Sequence, residues 1–305
     1  MPRLTPTPLP VATELGEPVS LEEVLAGATQ RMRRAFAPGL RVRHALTWDA
    51  TDRHDQRWWP QGISGSADAG RADQVFLVSW YSKAGAGVRI TFADLATRRY
   101  VHVPLALPTT DGTLGPLSIH AGGLAWRGSW LHVAATGRGL YSAHLDDLRR
   151  LPDGALIWPV RLHHQVAPDD TAKLRYSFLS VTEQGALLAG EYGGPQTARR
   201  LARFDLDPSG TLQVGVDGVA TATGLDVAVP SMQGATRARD RYLLMVSRGR
   251  RRPGDLWTGP AGRLRRHSFA APPGPEDVSW DGRLLWSVTE FPGRRWLFAL
   301  RPPRS

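Results

Sequence analysis

The chain of 305 residues has no cysteine. That absence removes disulfides and thiolate metal sites together, and it leaves the redox compartment undetermined, because cysteine-free proteins occur on both sides of a membrane. Lysine is nearly absent as well: of the 38 basic residues only Lys83 and Lys173 are lysines. No apolar run approaches the roughly 20 residues that span a bilayer, so no membrane span is expected. The opening stretch "MPRLTPTPLPVATELGEP" lacks the continuous apolar segment of a signal peptide. The chain as written therefore reads as cytoplasmic, and a secreted protein already trimmed of its leader would read the same way. A P-loop, a nucleophile elbow, an HExxH pair and a dinucleotide fingerprint are all missing. The glycine-rich pieces "GAGVR" and "TGRG" read as turns between strands.

What is present is ordinary globular material, 42% hydrophobic and 22% charged. The formal charge of +10 raises nucleic acid or anionic lipid as partners. No helix gathers the arginines as a recognition element would, and their abundance beside Ala, Gly and Pro fits a GC-rich coding sequence, which argues against nucleic acid. The densest group, Arg248, Arg250, Arg251 and Arg252 followed by Arg263, Arg265 and Arg266, reads as a solvated loop flanking a strand.

Residues 1–40 form an N-terminal tail and helix in this reading, and residues 41–305 form one domain. Ser20 is a good N-cap, with Glu23 three residues on to complete a capping box. Leu21, Val24, Leu25, Ala28 and Met32 then recur at helical spacing until Pro38-Gly39. After Leu40 the sequence changes to short β-rich runs divided by Gly, Pro, Asp and Ser. One pattern recurs: "PQGIS" at 60, "AGGLAW" at 121, "YSFLSV" at 176, "MQGATR" at 232 and "PEDVSW" at 275, about 61, 55, 56 and 43 residues apart. Each copy opens with a polar or small pair, then an apolar residue, then Ser, Ala or Thr. A second strand follows each copy ("VFLVSWY", "WLHVAAT", "ALLAGEY", "YLLMVSR", "LLWSVTE"). A third comes after it ("VRITFADL", "GLYSAHL", "RLARFDL", "GRLRRHSF", "RWLFAL"). Fourth strands are less clear, with "YVHVPLAL" and "LQVGVDG" as candidates.

Repeats of this length built from consecutive antiparallel strands predict an all-β, five-bladed β-propeller with a short N-terminal helix. The stretch "RVRHALTW", Arg41 to Trp48, would close the ring as the outer strand of the blade formed by residues 275–301. A two-sheet sandwich would also give many short strands, but not the recurrence.

In a propeller the residues just before each first strand and just after each second strand fall on one face. That face would gather Trp59, Gln61, His120, Arg175, Tyr176, Ser177, Gln233, Glu276 and Asp277 with Tyr81, Lys83, Thr136, Arg138, Glu191, Tyr192, Arg248, Glu290 and Arg294. Ligand sites are concave and carry a few convergent polar groups. His120 beside Glu191 or Glu276 would titrate near neutrality and act as acid or base, or would instead bridge neighbouring blades. Adjacent residues on one strand point to opposite sides, so only one of Glu276 and Asp277 can face the channel, the other capping a turn or tying blades together. Glu191 and Glu290 end equivalent strands and could act as a glycosidase-type carboxylate pair, or be ion-paired with Arg175, Arg294 or Arg138. Catalytic candidates are therefore His120, Glu191, Glu276 and Glu290. Substrate-binding candidates are Trp59, Gln61, Tyr81, Arg175, Tyr176, Tyr192, Gln233 and Arg294. A divalent cation, calcium, magnesium or manganese, could use His120, the carboxylates and the two glutamine amides.

The motifs "WWPQGIS", "VSWYSKAGAGVRITFADL", "HAGGLAW", "YSFLS", "GEYGG", "MQGA", "GPEDVSW" and "TEFPGRRWLFAL" make residues 57–301 similar to a group of largely uncharacterised bacterial β-propeller proteins, many of them secreted. The resemblance implies a five-bladed ring with a polar mouth and brings no assigned activity. More distantly, five-bladed rings include glycosidases, nucleotidases and lectins.

The residues at equivalent places, Trp59, His120, Arg175, Ser231 and Gly274, differ from blade to blade. That favours one asymmetric pocket, which binds and transforms a small polar or aromatic-bearing molecule as a hydrolase, lyase or biosynthetic tailoring enzyme. The alternative is a non-catalytic, lectin-like or protein-binding propeller.

Overall fold

The computed structural model describes residues 1–10, 16–109, 112–194 and 199–303. They are almost entirely β-structure, with two short α-helices, α1 (Leu21–Ala26) and α2 (Ala50–His54). Four consecutive antiparallel strands, Trp58–Gly65, Val75–Ser82, Val88–Asp94 and Arg99–Pro108, form the first meander. Leu124–Arg127, Trp130–Ala134, Leu140–His144 and Leu156–Val166 form the second. The next two are Phe178–Val181 through Gly224–Val227 and Met232–Ala238 through Arg265–Ala271. The last takes Pro275–Trp280, Leu285–Thr289 and Trp296–Leu300 from the C-terminal end of the sequence and Val42–Thr47 from near its beginning. That pairing covers the edge Trp296–Leu300 would otherwise expose.

The recurring segments are the first strands of these meanders, and their composition has a steric cause. The arrangement is propeller-like: each first strand packs on the next, and the last returns to the first. Backbones meet so closely that a Cβ at Gly123 would lie 2.0 Å from the Leu179 nitrogen, and one at Gly62 would lie 2.8 Å from the Gly123 carbonyl carbon. A Cβ at Gly234 would be 2.8 Å from the backbone of Asp277. Only glycine fits such approaches.

The hydroxyl that follows is equally determined. Ser64 accepts a hydrogen bond from the Trp126 N–H, Ser180 donates to the Ala235 carbonyl, Thr236 donates to the Val181 carbonyl, and Ser279 accepts from the Gly65 N–H. Each bond joins neighbouring meanders and satisfies a buried backbone group that no ladder reaches.

The apolar faces pack between meanders. Leu77, Phe92, Trp126 and Trp158, for example, form one layer between the first and second. Fully burying such a side chain is worth roughly 1.5–3 kcal/mol before chain entropy is counted.

Several local expectations are corrected. Ser20 does cap α1 with the complete capping box, but the helix ends at Ala26 and not near Pro38. Gly27 closes it, and Met32 is buried in the core between the flanking strands Gln30–Arg31 and Arg33–Arg34. Within the supposed tail, Arg3–Pro8 is a strand bonded to Leu156–Val166 on one side and Ala220–Thr221 on the other, while residues 11–15 lie outside the described residues. "GRLRRHSF" lies mostly in a fourth strand, because Gly254–Gly259 is the third. "LQVGVDG" is not a ladder strand; Gly224–Val227 takes that place.

Candidate functional site

The mouth is built by irregularities in three first strands. The pairing of Trp58–Gly65 slips between Pro60 and Ile63, that of Met232–Ala238 between Met232 and Gly234, and that of Pro275–Trp280 between Pro275 and Val278. The residues at these bulges are Gln61, Gln233 and the pair Glu276-Asp277. A bulge breaks the strict alternation of a strand and re-aims side chains. Both acidic neighbours can therefore turn inward.

They do different things. Asp277 accepts hydrogen bonds from the N–H groups of Ile63 (3.0 Å) and Leu124 (2.9 Å), tying the last meander to the first two, and its other oxygen is buried without a partner. Glu276 is only 3% exposed and accepts from the Gln233 amide at 3.2 Å. Its carboxyl group meets that of Glu290, which itself accepts from the Gln61 amide at 3.3 Å.

Burial, and then the charge of Glu290, push Glu276 well above the usual carboxylate range. Burial raises Glu290 as well, but hydrogen bonding from Gln61 and the nearby charges of Lys83 and Arg295 offset part of that rise. The two acids are thus unequal, Glu276 being raised further than Glu290.

Around this pair stand aromatic and basic groups. The phenol of Tyr81 is raised by burial and by both glutamates, and its ring stacks on His120 with centroids 4.6 Å apart. The His120 ring keeps an exposed edge, yet the walls of the mouth and the charge of Lys83 lower its pKa. The Lys83 ammonium rests 3.1 Å from the centroid of Trp59, so that face of the indole is taken. Arg295 is wholly buried behind Glu290, donating from Nε to the Glu290 carbonyl and from Nη1 to the Asp52 carbonyl, and burial pulls it down to about 10.

The structure thus brings together His120, Glu276, Glu290, Trp59, Gln61, Tyr81 and Gln233. It does not bring Glu191 to them. Burial alone would raise Glu191, but hydrogen bonds from the Arg200 side chain (2.7 and 2.8 Å) and from the Arg175 and Arg200 N–H groups outweigh it and hold the carboxylate below its usual range. Its partner is Arg200, not Arg175, Arg294 or Arg138. Tyr176 is fully buried against Phe204, Tyr192 is half-exposed, and Arg175 contributes its backbone N–H to Glu191. Arg294 points outward and donates to the Arg250 carbonyl.

Sequence reasoning missed Arg295 by one position: it lies just ahead of the strand Trp296–Leu300, where no alternation marks which arginine turns inward. It also missed a buried network under the mouth. Asp52 on α2 pairs with Arg89 at 2.6 Å and accepts hydrogen bonds from Tyr100 and His102. Nothing local in "DATDRHD" marked it. Among the described residues no three His, Asp or Glu side chains cluster as a metal site would require, and no helix is long and apolar enough to cross a membrane.

At the opposite end of the inner strands is a cavity of about 240 Å³ lined by Asp68, Arg127, Glu183 and Trp280 among others. Burial raises Asp68 there to about 7, although Ser279, Ser64 and the Gly65 N–H all donate to it.

No family model matches the chain, and no curated protein matches it. Similar solved structures include the β-propeller domain of Cps50 (Swd1) from Myceliophthora thermophila, at 10% identity over 90% of this chain and 100% of that one, TM-score 0.41. A GH43_1 enzyme from Xanthomonas citri is 12% identical over 93% of this chain and 92% of that one, TM-score 0.41. A putative oxidoreductase (glucose dehydrogenase) from Thermus thermophilus is 12% identical over 89% and 100%, TM-score 0.41. At such scores the architecture is read from the strand pairing itself, and no activity follows.

Proposed function

We propose that the meanders close into a five-bladed propeller whose mouth binds a small polar molecule and transforms it by acid–base chemistry. The observation that carries this reading is the buried pair Glu276 and Glu290, one glutamine donating to each, with Glu276 raised further than Glu290. Two acids pushed to different protonation states mark a division of labour. Glu290, ionised, accepts a proton from a substrate hydroxyl or from a water held in the mouth. Glu276, protonated, returns one to the oxygen or nitrogen that leaves. The pair is then restored by one proton exchange with solvent, for which neutral His120, at the exposed rim, is suitably placed.

Gln61 and Gln233 fix the two carboxyl planes, and Arg295 supports the negative charge of Glu290 from behind. Groups in this role are worth about 10²–10⁴ in rate.

The test is turnover of a panel of esters, amides, glycosides and hydroxy acids by the wild type and by Glu276→Gln, Glu290→Gln and His120→Ala, with folding checked by circular dichroism. Loss of at least about a hundredfold in both glutamate variants supports the reading. Full turnover in both overturns it, and saturable binding without turnover in the wild type favours a non-catalytic binding propeller.

A further inference from the structure

The cations at the mouth are held by aromatic rings where carboxylates would normally hold them. Lys83 sits 3.1 Å from the Trp59 centroid, Trp59 meets Phe291 edge to face at 5.8 Å, and Arg250 lies 5.9 Å over Phe291. Arg294 completes the row through its 3.1 Å hydrogen bond to the Arg250 carbonyl. Phe291 directly follows Glu290, so this row of two rings flanked by cations runs along the edge of the acid pair.

A ring face positions an ammonium or guanidinium without using its N–H donors and without cancelling its charge. Lys83, Arg250 and Arg294 form no ion pair with a described carboxylate, and neither do Arg138, Arg175 and Arg251 in the loops at the same end of the strands. The contrast on the same face is Arg200, paired with Glu191 at 2.7 Å, while Arg248 and Arg57 lie within 4 Å of Asp255 and Asp55. Lys83 also acts through space on both His120 and Glu290, which puts its charge over the space between them.

We propose that the ligand of this mouth is a small organic anion. Its phosphate or carboxylate group is bound by Lys83, with Arg250 and Arg294 adding positive charge further along the row, and its uncharged reacting part is laid against Glu276 and Glu290. The placement of the reacting part rests on the acid–base reading above; the anion site does not. The uncompensated cations also draw such a ligand into the mouth, with a dependence on ionic strength.

The experiment is isothermal titration calorimetry at fixed ionic strength with inorganic phosphate, acetate, neutral glucose and a short single-stranded oligonucleotide. It uses the wild type, Lys83→Met, Arg250→Gln, Glu290→Gln and the remote Arg265→Gln. The proposal expects saturable binding of phosphate or acetate, the tighter of the two naming the charged group, and no binding of glucose. It expects affinity to fall about tenfold or more in Lys83→Met, to fall by less in Arg250→Gln, and to be unchanged in Arg265→Gln. Glu290→Gln should keep anion binding, so failure of the acid–base reading and failure of this one give different results. The proposal is overturned by no saturable binding of either anion, by equal weakening in Arg265→Gln, or by an oligonucleotide that binds tighter than both anions with the same dependence on Lys83.

Discussion

Replacing Gly123 by alanine should be among the most damaging single-methyl additions in the protein. The new Cβ would sit 2.0 Å from the Leu179 nitrogen and 2.5 Å from the Cα and carbonyl carbon of Phe178. All three are backbone atoms of the neighbouring first strand, so no flexible side chain can swing aside. Ordinary contacts need about 3.5 Å, and the strand would have to shift by more than an ångström in the tightest part of the fold. Overpacking of a well-packed core costs about 1–3 kcal/mol, and a backbone clash belongs at or beyond the top of that range.

With an unfolding entropy of about 2.1 cal/mol/K per residue, the 305 residues give roughly 0.6 kcal/mol/K. A loss of about 3 kcal/mol then lowers Tm by about 5 °C. The control is Gly137→Ala, where the added Cβ meets nothing within 4 Å and the backbone is not left-handed. That variant should be neutral or slightly stabilising, by at most about 1 kcal/mol, through the unfolded chain. Differential scanning calorimetry on both variants decides the matter. Equal Tm values would refute the claim that the first strands close on one another at Gly123.

Buried charge supplies two more expectations. Arg200→Met leaves Glu191 buried without its partner and should cost about 3 kcal/mol or more in chemical denaturation, whereas Glu191→Gln should keep turnover because Glu191 lies outside the acid pair; loss of activity in a folded Glu191→Gln would contradict that. Asp68 is raised by burial from 3.8 to about 7, so between those values the folded state holds a proton that the unfolded chain has released. This contribution is full below about pH 4 and is lost as pH rises toward 7, with a slope of up to about 1.4 kcal/mol per pH unit. Asp68→Asn should flatten that slope in urea titrations at pH 5 and 7, and an unchanged slope would refute the assignment.

The ring was legible because its tightest contacts write a pattern into the chain. Gly62, Gly123 and Gly234 are where backbones touch, and Ser64, Ser180, Thr236 and Ser279 bond across meanders, so first strands repeat while outer strands do not. The strand Val42–Thr47 was readable for a related reason: the last repeat lacked a fourth strand and the chain before the first repeat had one to spare. The outer strands Leu156–Val166 and Gly224–Val227 carry no such recurring glycine and hydroxyl pattern. Arg3–Pro8 is proline-rich and polar, and only its two neighbours make it a strand.

At the mouth, the residue types at bulged positions were visible, but the bulges were not. Regular alternation forbids Glu276 and Asp277 from both turning inward, and it is the slip between Pro275 and Val278 that allows it. The same irregularity brings Glu276 to Glu290, while Glu191, the more symmetric choice from strand position, is captured by Arg200 on the next strand of its own meander. Pairing of charges is a tertiary fact that spacing along the chain does not encode.

The raised carboxyl of Glu276 is the feature on which the account of this mouth depends most. Titration of ¹³C-labelled glutamate carboxyl carbons by NMR, in the wild type and in Glu276→Gln, reads it directly. One carbon should titrate well above the usual glutamate range and its signal should vanish in Glu276→Gln; glutamate carbons that all titrate in the ordinary carboxylate range, unaffected by the substitution, would contradict the account.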